Sequence, residues 1–170
     1  MSYDIYLREG DETVQVPIHS EGGTYVSGGT TEGHLNLTYN YSPHYYKHID
    51  PEKGLRWLYG RTGAETIERL ESAIAVLGTD RWEGPYYTLS MEAVGSCWRV
   101  WRQSQGLPDD FHPRSLNLPE YASELSSAIT AGIVYDTGGY WAPSEGNAGY
   151  ALGILLGWAR LHPDAVWSGD

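Results

Sequence analysis

One cysteine, one phenylalanine and two lysines are what this 170-residue chain has least of, and the scarcity of thiols and lysines closes off whole classes of protein. A lone Cys97 leaves no internal disulfide framework and no zinc site built from several thiolates, so the expected compartment is reducing. Lys47 and Lys53 join nine scattered arginines against 22 acidic residues, for a net charge of −11. Neutralising the phosphates of a duplex needs clustered basic side chains, so duplex nucleic acid is not an expected partner. The acids form no run longer than Asp109-Asp110, which argues against a carboxylate stripe imitating a nucleic-acid backbone. The longest apolar run, 148–159, is broken by glycines and is far shorter than the roughly 20 residues of a membrane span, so no membrane partner is expected. Residues 1–11 show no basic start leading into an apolar run, and the expected location is cytoplasmic.

What the chain does have is hydroxylated and indole rings: 14 Tyr and 7 Trp. Such rings suit places where one edge is apolar and the other meets a polar ligand or partner. With 41% hydrophobic and 19% charged residues, the chain can bury a core as a single domain, 1–170.

Tyr3, Ile5 and Leu7 alternate with polar neighbours and predict a strand; a second fits residues 13–18, and 24–26 read as a short strand between glycine turns. Residues 33–41 predict a longer strand, with Leu35, Leu37, Tyr39 and Tyr41 on one face and His34, Asn36, Thr38 and Asn40 on the other. Asp50-Pro51 opens a short helix expected to reach about Tyr59. Thr62-Gly63-Ala64-Glu65 is a capping box, leading a helix with Ile67, Leu70, Ile74 and Leu77 inward and Gly78 at its end. Helices are also expected over 89–104 and 119–131, within a helical insertion spanning 81–137. Ser144 caps a final helix that His162-Pro163 ends. The fold class is therefore α+β: a small N-terminal antiparallel sheet packed on C-terminal helices, with a helical insertion. Gly149, Gly153 and Gly157 recur on the last helix; they suit a close internal contact or a seam for a homo-oligomer.

Amides are poor strand formers, so Asn36 and Asn40, with Thr38 between them, ask for partners, and they can read a base edge or ribose hydroxyls. Arg56, Trp57 and Arg61 precede the capped helix, where a guanidinium fork suits a phosphate and an indole stacks on a base. Together with Tyr41, Trp141, Glu145 and Asn147 they form a candidate pocket for a small nucleotide-like ligand. Catalytic signals are weak. Cys97 lies within an expected helix, no nucleophile elbow, Walker loop or dinucleotide fingerprint is present, and no cofactor is expected. His44 and His48 have metal-ligand spacing without the glutamate of a metalloprotease, and no metal is assigned. Glu145 is the best single acid for an enzyme.

The segments 36–42, 54–60 and 62–65, with 140–148 and 162–170, resemble an uncharacterised family of small proteins encoded by tailed bacteriophages and prophages. The likeness covers about 110 residues in two blocks and is interrupted by 81–137. It brings no catalytic residues with it. It implies a viral protein acting in the host cytoplasm, and small phage proteins of this kind often counter host defence. The expected function is sequestration of a nucleotide-derived immune signal. The alternatives are a protein–protein inhibitor of a host defence enzyme, or an enzyme degrading the signal through Glu145 or a His44/His48 metal site.

Overall fold

The computed structural model describes residues 2–20, 28–83, 87–88, 135–136 and 139–170. These fall into two units, one formed by Met1–Gly84 with Gly139–Asp170 and the other by Pro85–Gly138. Of the second unit, the described part is an antiparallel pair of strands, β6 (Tyr87–Thr88) and β7 (Tyr135–Asp136). The helices expected at 89–104 and 119–131, and the short strand at 24–26, lie outside the described residues.

The first unit is built on β1 (Ser2–Glu9). Along one edge β1 pairs antiparallel with β5 (His34–Thr38) and, further on, with β2 (Glu12–Thr13). Along the other it pairs with β8 (Val166–Gly169), so Tyr6 lies between His34 and Ser168. A separate two-stranded sheet joins β3 (Gln15–His19) to β4 (Thr30–Glu32). The α+β class expected from the sequence is the observed one.

The period-two pattern decides which face is buried: Tyr3, Ile5, Leu7, Leu35, Leu37 and Trp167 form the sheet's core side and are all but inaccessible. They pack against α2 (Gly63–Leu77) and α3 (Glu145–Leu161), whose Leu70, Leu77, Leu152 and Leu155 are buried. One polar tie crosses this core. The Trp167 indole N–H donates to Thr66 Oγ1 at 3.0 Å, and that hydroxyl donates in turn to the Gly63 carbonyl at 2.8 Å. A large ring can thus be buried whole without stranding its one donor.

The capping box is present in full: Thr62 N–H donates to Glu65 Oε2 at 2.7 Å, and Glu65 N–H donates to Thr62 Oγ1. Gly78 closes α2 with a φ of 71°. Beyond it the chain runs against α3 so closely that a Cβ on Gly149 would lie 1.8 Å from the Gly78 carbonyl oxygen. The glycine spacing therefore marks a close internal contact at Gly149. Around Gly153 and Gly157 no atom of the described residues comes within 4 Å of such a Cβ.

Three expectations are corrected. The strand foreseen over 33–41 ends at Thr38, whose hydroxyl accepts the Asn40 N–H and opens a 3-10 turn, Tyr39–Tyr41. That turn leads into an unforeseen helix, α1 (Ser42–His48), which starts with Pro43 in its first turn. The helix foreseen after Asp50 is only a turn and a 3-10 stretch, Gly54–Leu58. Asp50 does cap, accepting the N–H groups of Glu52 and Lys53 at 3.0 and 2.7 Å, but Gly54 at φ 54° turns the chain out of helical conformation.

Candidate functional site

The expected pocket residues are found on two structural clasps. Asn36 projects from the sheet face opposite the core, and its Nδ2 donates to Ser2 Oγ and Asp4 Oδ1 at 2.9 and 2.8 Å. Thr38 is buried and caps the turn after β5. Asn40 donates to the Trp141 carbonyl at 2.8 Å, and the buried Tyr41 hydroxyl donates to the carbonyl of Tyr140. Asn147 is 4% exposed; its amide donates to the carbonyls of Gly139 and Ala142 at 2.7 and 3.0 Å and accepts the Trp82 N–H at 2.9 Å. Asn40, Tyr41 and Asn147 thus hold the 3-10 turn Gly139–Trp141 in place. Trp141 is 36% exposed there, and Glu145 lies exposed in the first turn of α3.

Arg56, Trp57 and Arg61 form the other clasp. Arg56 donates to Tyr39 Oη at 2.6 Å and to the Asp170 main-chain oxygen at 3.0 Å, with its guanidinium 5.1 Å from the Tyr3 ring centre. Burial pushes the neighbouring Tyr59 hydroxyl up to about 12. Trp57 carries two guanidinium groups near its ring, Arg61 at 4.1 Å and Arg69 at 4.8 Å. Arg61 also donates to the Trp57 carbonyl, and Arg69 to the Ile49 carbonyl. Arg69 is thereby turned away from the exposed pairing with Glu65 that their spacing suggests.

Of the residues expected to share one pocket, Asn36, Thr38, Asn40, Tyr41, Arg56, Trp57, Arg61, Trp141, Glu145 and Asn147, the structure divides most between these two clasps, and none lines either of the two clefts described below. The amides that seemed to ask for a ligand are satisfied by the chain itself. His44 Nε2 hydrogen-bonds the Pro143 carbonyl at 2.9 Å, and no cluster of three His, Cys, Asp or Glu suited to a metal exists among the described residues.

The structure instead opens a cleft of about 420 Å³ between β3 and α3. Tyr150, Ile154, Gly157 and Leu161 recur along one face of α3, and Pro17, Ile18 and His19 of β3 face them. Trp158 forms part of the wall, its ring centre 4.8 Å from that of His19. Ile18 and Leu161 stand at the rim, 72% and 57% exposed. Among the described lining residues Arg81 is the permanently charged one, and it lies 4.7 Å from the Tyr150 ring centre. No Asp or Glu is among the described residues that line this cleft, in a chain of net charge −11.

His19 gives the cleft its directional group. Its Nε2 lies 3.1 Å from the Glu32 carbonyl, which can only accept, so the proton sits on Nε2 and Nδ1 is left as an acceptor in the neutral ring. That Nδ1 is shielded from solvent and has no partner among the described residues. The volume, the aromatic walls and the few polar groups are those of a small-molecule site. Sequence reasoning missed it because a strand expected at 13–18 and a helix expected after Ser144 do not say which of their faces meet. The wide apolar face of α3 also gives no sign of which side the helix leaves uncovered.

No protein-family model, curated protein or solved structure matches the chain. No helix of the described residues is long and apolar enough to cross a membrane.

Proposed function

We propose that this protein is a non-catalytic binding protein that captures a small anionic, nucleotide-derived molecule in the β3–α3 cleft, as a phage product that blunts a host immune signal. The observation that carries the reading is the cleft's charge. Among the described lining residues Arg81 is the permanent charge and no carboxylate is present, within a strongly acidic protein, which favours an anion here. Tyr150 offers aromatic surface for a base, and His19 Nδ1 accepts a hydrogen bond from a sugar hydroxyl or a base N–H. The likeness to phage and prophage proteins supplies the biological setting.

Calorimetry with a panel of cyclic nucleotides and ADP-ribose derivatives tests it. At least one member binds with a dissociation constant below about 10 μM, and Arg81→Ala weakens it at least about tenfold. Recovery of chemically unchanged ligand from the denatured complex separates capture from degradation. No binding tighter than about 10 μM to any member overturns the reading.

A second reading, a protein–protein inhibitor, is favoured by the exposure of Trp82 and Trp141, at 49% and 36%. Exposed indoles are frequent anchors of protein interfaces. If Trp82→Ala or Trp141→Ala abolishes protection of the phage while Arg81→Ala leaves it intact, this second reading replaces the first.

A further inference from the structure

The outer face of the larger sheet holds another cleft, of about 410 Å³, lined by Asp4, Tyr6 and Arg8 of β1 together with Ser168, Gly169 and Asp170. Strand alternation puts these β1 side chains opposite Tyr3, Ile5 and Leu7, and the β1–β8 register sets Ser168 beside Tyr6. The Tyr6 ring stacks on His34 with centres 4.4 Å apart and planes 6° off parallel, and the Arg8 guanidinium lies 4.8 Å from its centre. Two polar atoms on this face are shielded from solvent and have no partner among the described residues: Arg8 Nε and Ser168 Oγ. Folded chains rarely leave such atoms unsatisfied. The carboxylates nearby are each engaged through one oxygen. Asp4 Oδ1 accepts from Asn36 at 2.8 Å and pairs with His34 at 3.1 Å, and Asp170 Oδ1 accepts the Asp4 N–H at 2.9 Å.

We propose that this cleft is a binding site for a vicinal diol of an uncharged sugar. A hydroxyl donates and accepts at once. Two adjacent hydroxyls can therefore donate hydrogen bonds to the remaining carboxylate oxygens of Asp4 and Asp170 while accepting from Arg8 Nε and Ser168 Oγ. Charge selects against the simpler ligands. Two carboxylates to one guanidinium oppose an anion, and a bare cation leaves the Arg8 Nε–H without an acceptor and sits beside a like charge. The site shares no residue with the β3–α3 cleft and stands without it.

The diol has two sources, a pyranose or the ribose of a nucleoside. Titration of the isotope-labelled protein followed by amide chemical shifts separates them, with methyl mannoside, adenosine, 2′-deoxyadenosine and glycine as probes. The site is supported if the amides of Tyr6, Arg8, Ser168 and Gly169 shift with methyl mannoside or adenosine, with a dissociation constant on the order of millimolar. A ribose source is marked by adenosine shifting these amides and 2′-deoxyadenosine failing to do so. Ser168→Ala, and Arg8→Lys, which keeps the charge but removes Nε–H, each weaken that binding about tenfold at unchanged melting temperature. Absence of shifts on β1 and β8 with both diols at about 50 mM, or larger shifts there with glycine, overturns the proposal.

Discussion

The Tyr140 hydroxyl donates to the Asn36 main-chain carbonyl at 3.2 Å, and the same oxygen accepts the Thr38 N–H at 3.1 Å. One side chain thereby occupies the place of a neighbouring strand along the free edge of β5. Tyr140→Phe keeps the ring and loses both bonds, leaving an amide and a carbonyl of a half-buried edge unpaired. The expected loss is about 1–3 kcal/mol in denaturant unfolding, with amide exchange of Thr38 accelerated.

The four glycines of α3 separate by what surrounds them. A Cβ on Gly146 or Gly149 would lie 1.8 Å from a main-chain oxygen, Asp80 or Gly78 respectively, so alanine at either position costs more than about 3 kcal/mol. Gly153→Ala meets no described atom within 4 Å and gains about 1 kcal/mol of helix propensity. Thermal melts of the three variants give the ordering directly.

Gly157 distinguishes stability from binding. It lines the β3–α3 cleft and has the same open surroundings as Gly153. Gly157→Ala therefore raises the melting temperature while a methyl group intrudes on the ligand's space. The expected result is tighter folding with affinity reduced several-fold for any nucleotide that calorimetry identifies.

Thr66→Val removes the acceptor of the buried Trp167 indole at almost constant volume. An unpaired indole N–H in the core costs about 1–3 kcal/mol, read as a lower denaturation midpoint with an unchanged slope.

Acid and alkali act on different residues. Hydrogen bonds from the Thr62 main chain and hydroxyl hold the Glu65 carboxyl below its ordinary 4.5, so its support of α2 is complete above that value and is lost as pH falls through the lowered one. Glu65→Gln is therefore less stable than the parent at neutral pH, and the gap closes in acid. Burial raises the Tyr59 hydroxyl from 10.0 to about 12, so its contribution is whole below pH 10 and is lost as pH climbs from 10 toward 12. Tyr59→Phe flattens that alkaline limb in a series of melts.

The parts of the fold legible in the sequence are those whose signals are local. Thr62 and Glu65 name their own helix start, and Ser144 caps α3 by accepting the Asn147 N–H at 3.1 Å. What was illegible depends on distant partners. Val166–Gly169 is too short to announce a strand until β1 lies beside it. The amides of Asn36 and Asn40 seemed in want of a ligand because their partners, Asp4 and the Trp141 carbonyl, lie 32 and 101 positions away. Asn147, expected at a ligand pocket, holds three main-chain groups, those of Trp82, Gly139 and Ala142. The β3–α3 cleft needed the packing itself, since nothing in Ile18 or Tyr150 tells which face stays open.

The pairing of β8 with β1 also sets the order in which this unit can be completed. Asp4 and Asp170 are 166 positions apart and share a hydrogen bond, so a growing chain leaves the ribosome with the central strand bare along one side until residues 166–170 emerge. The four residues of β8 then act as a latch. Shaving them off exposes the flank of β1 as a template for foreign strands, and the resulting species is expected to aggregate rather than linger as a loosened monomer.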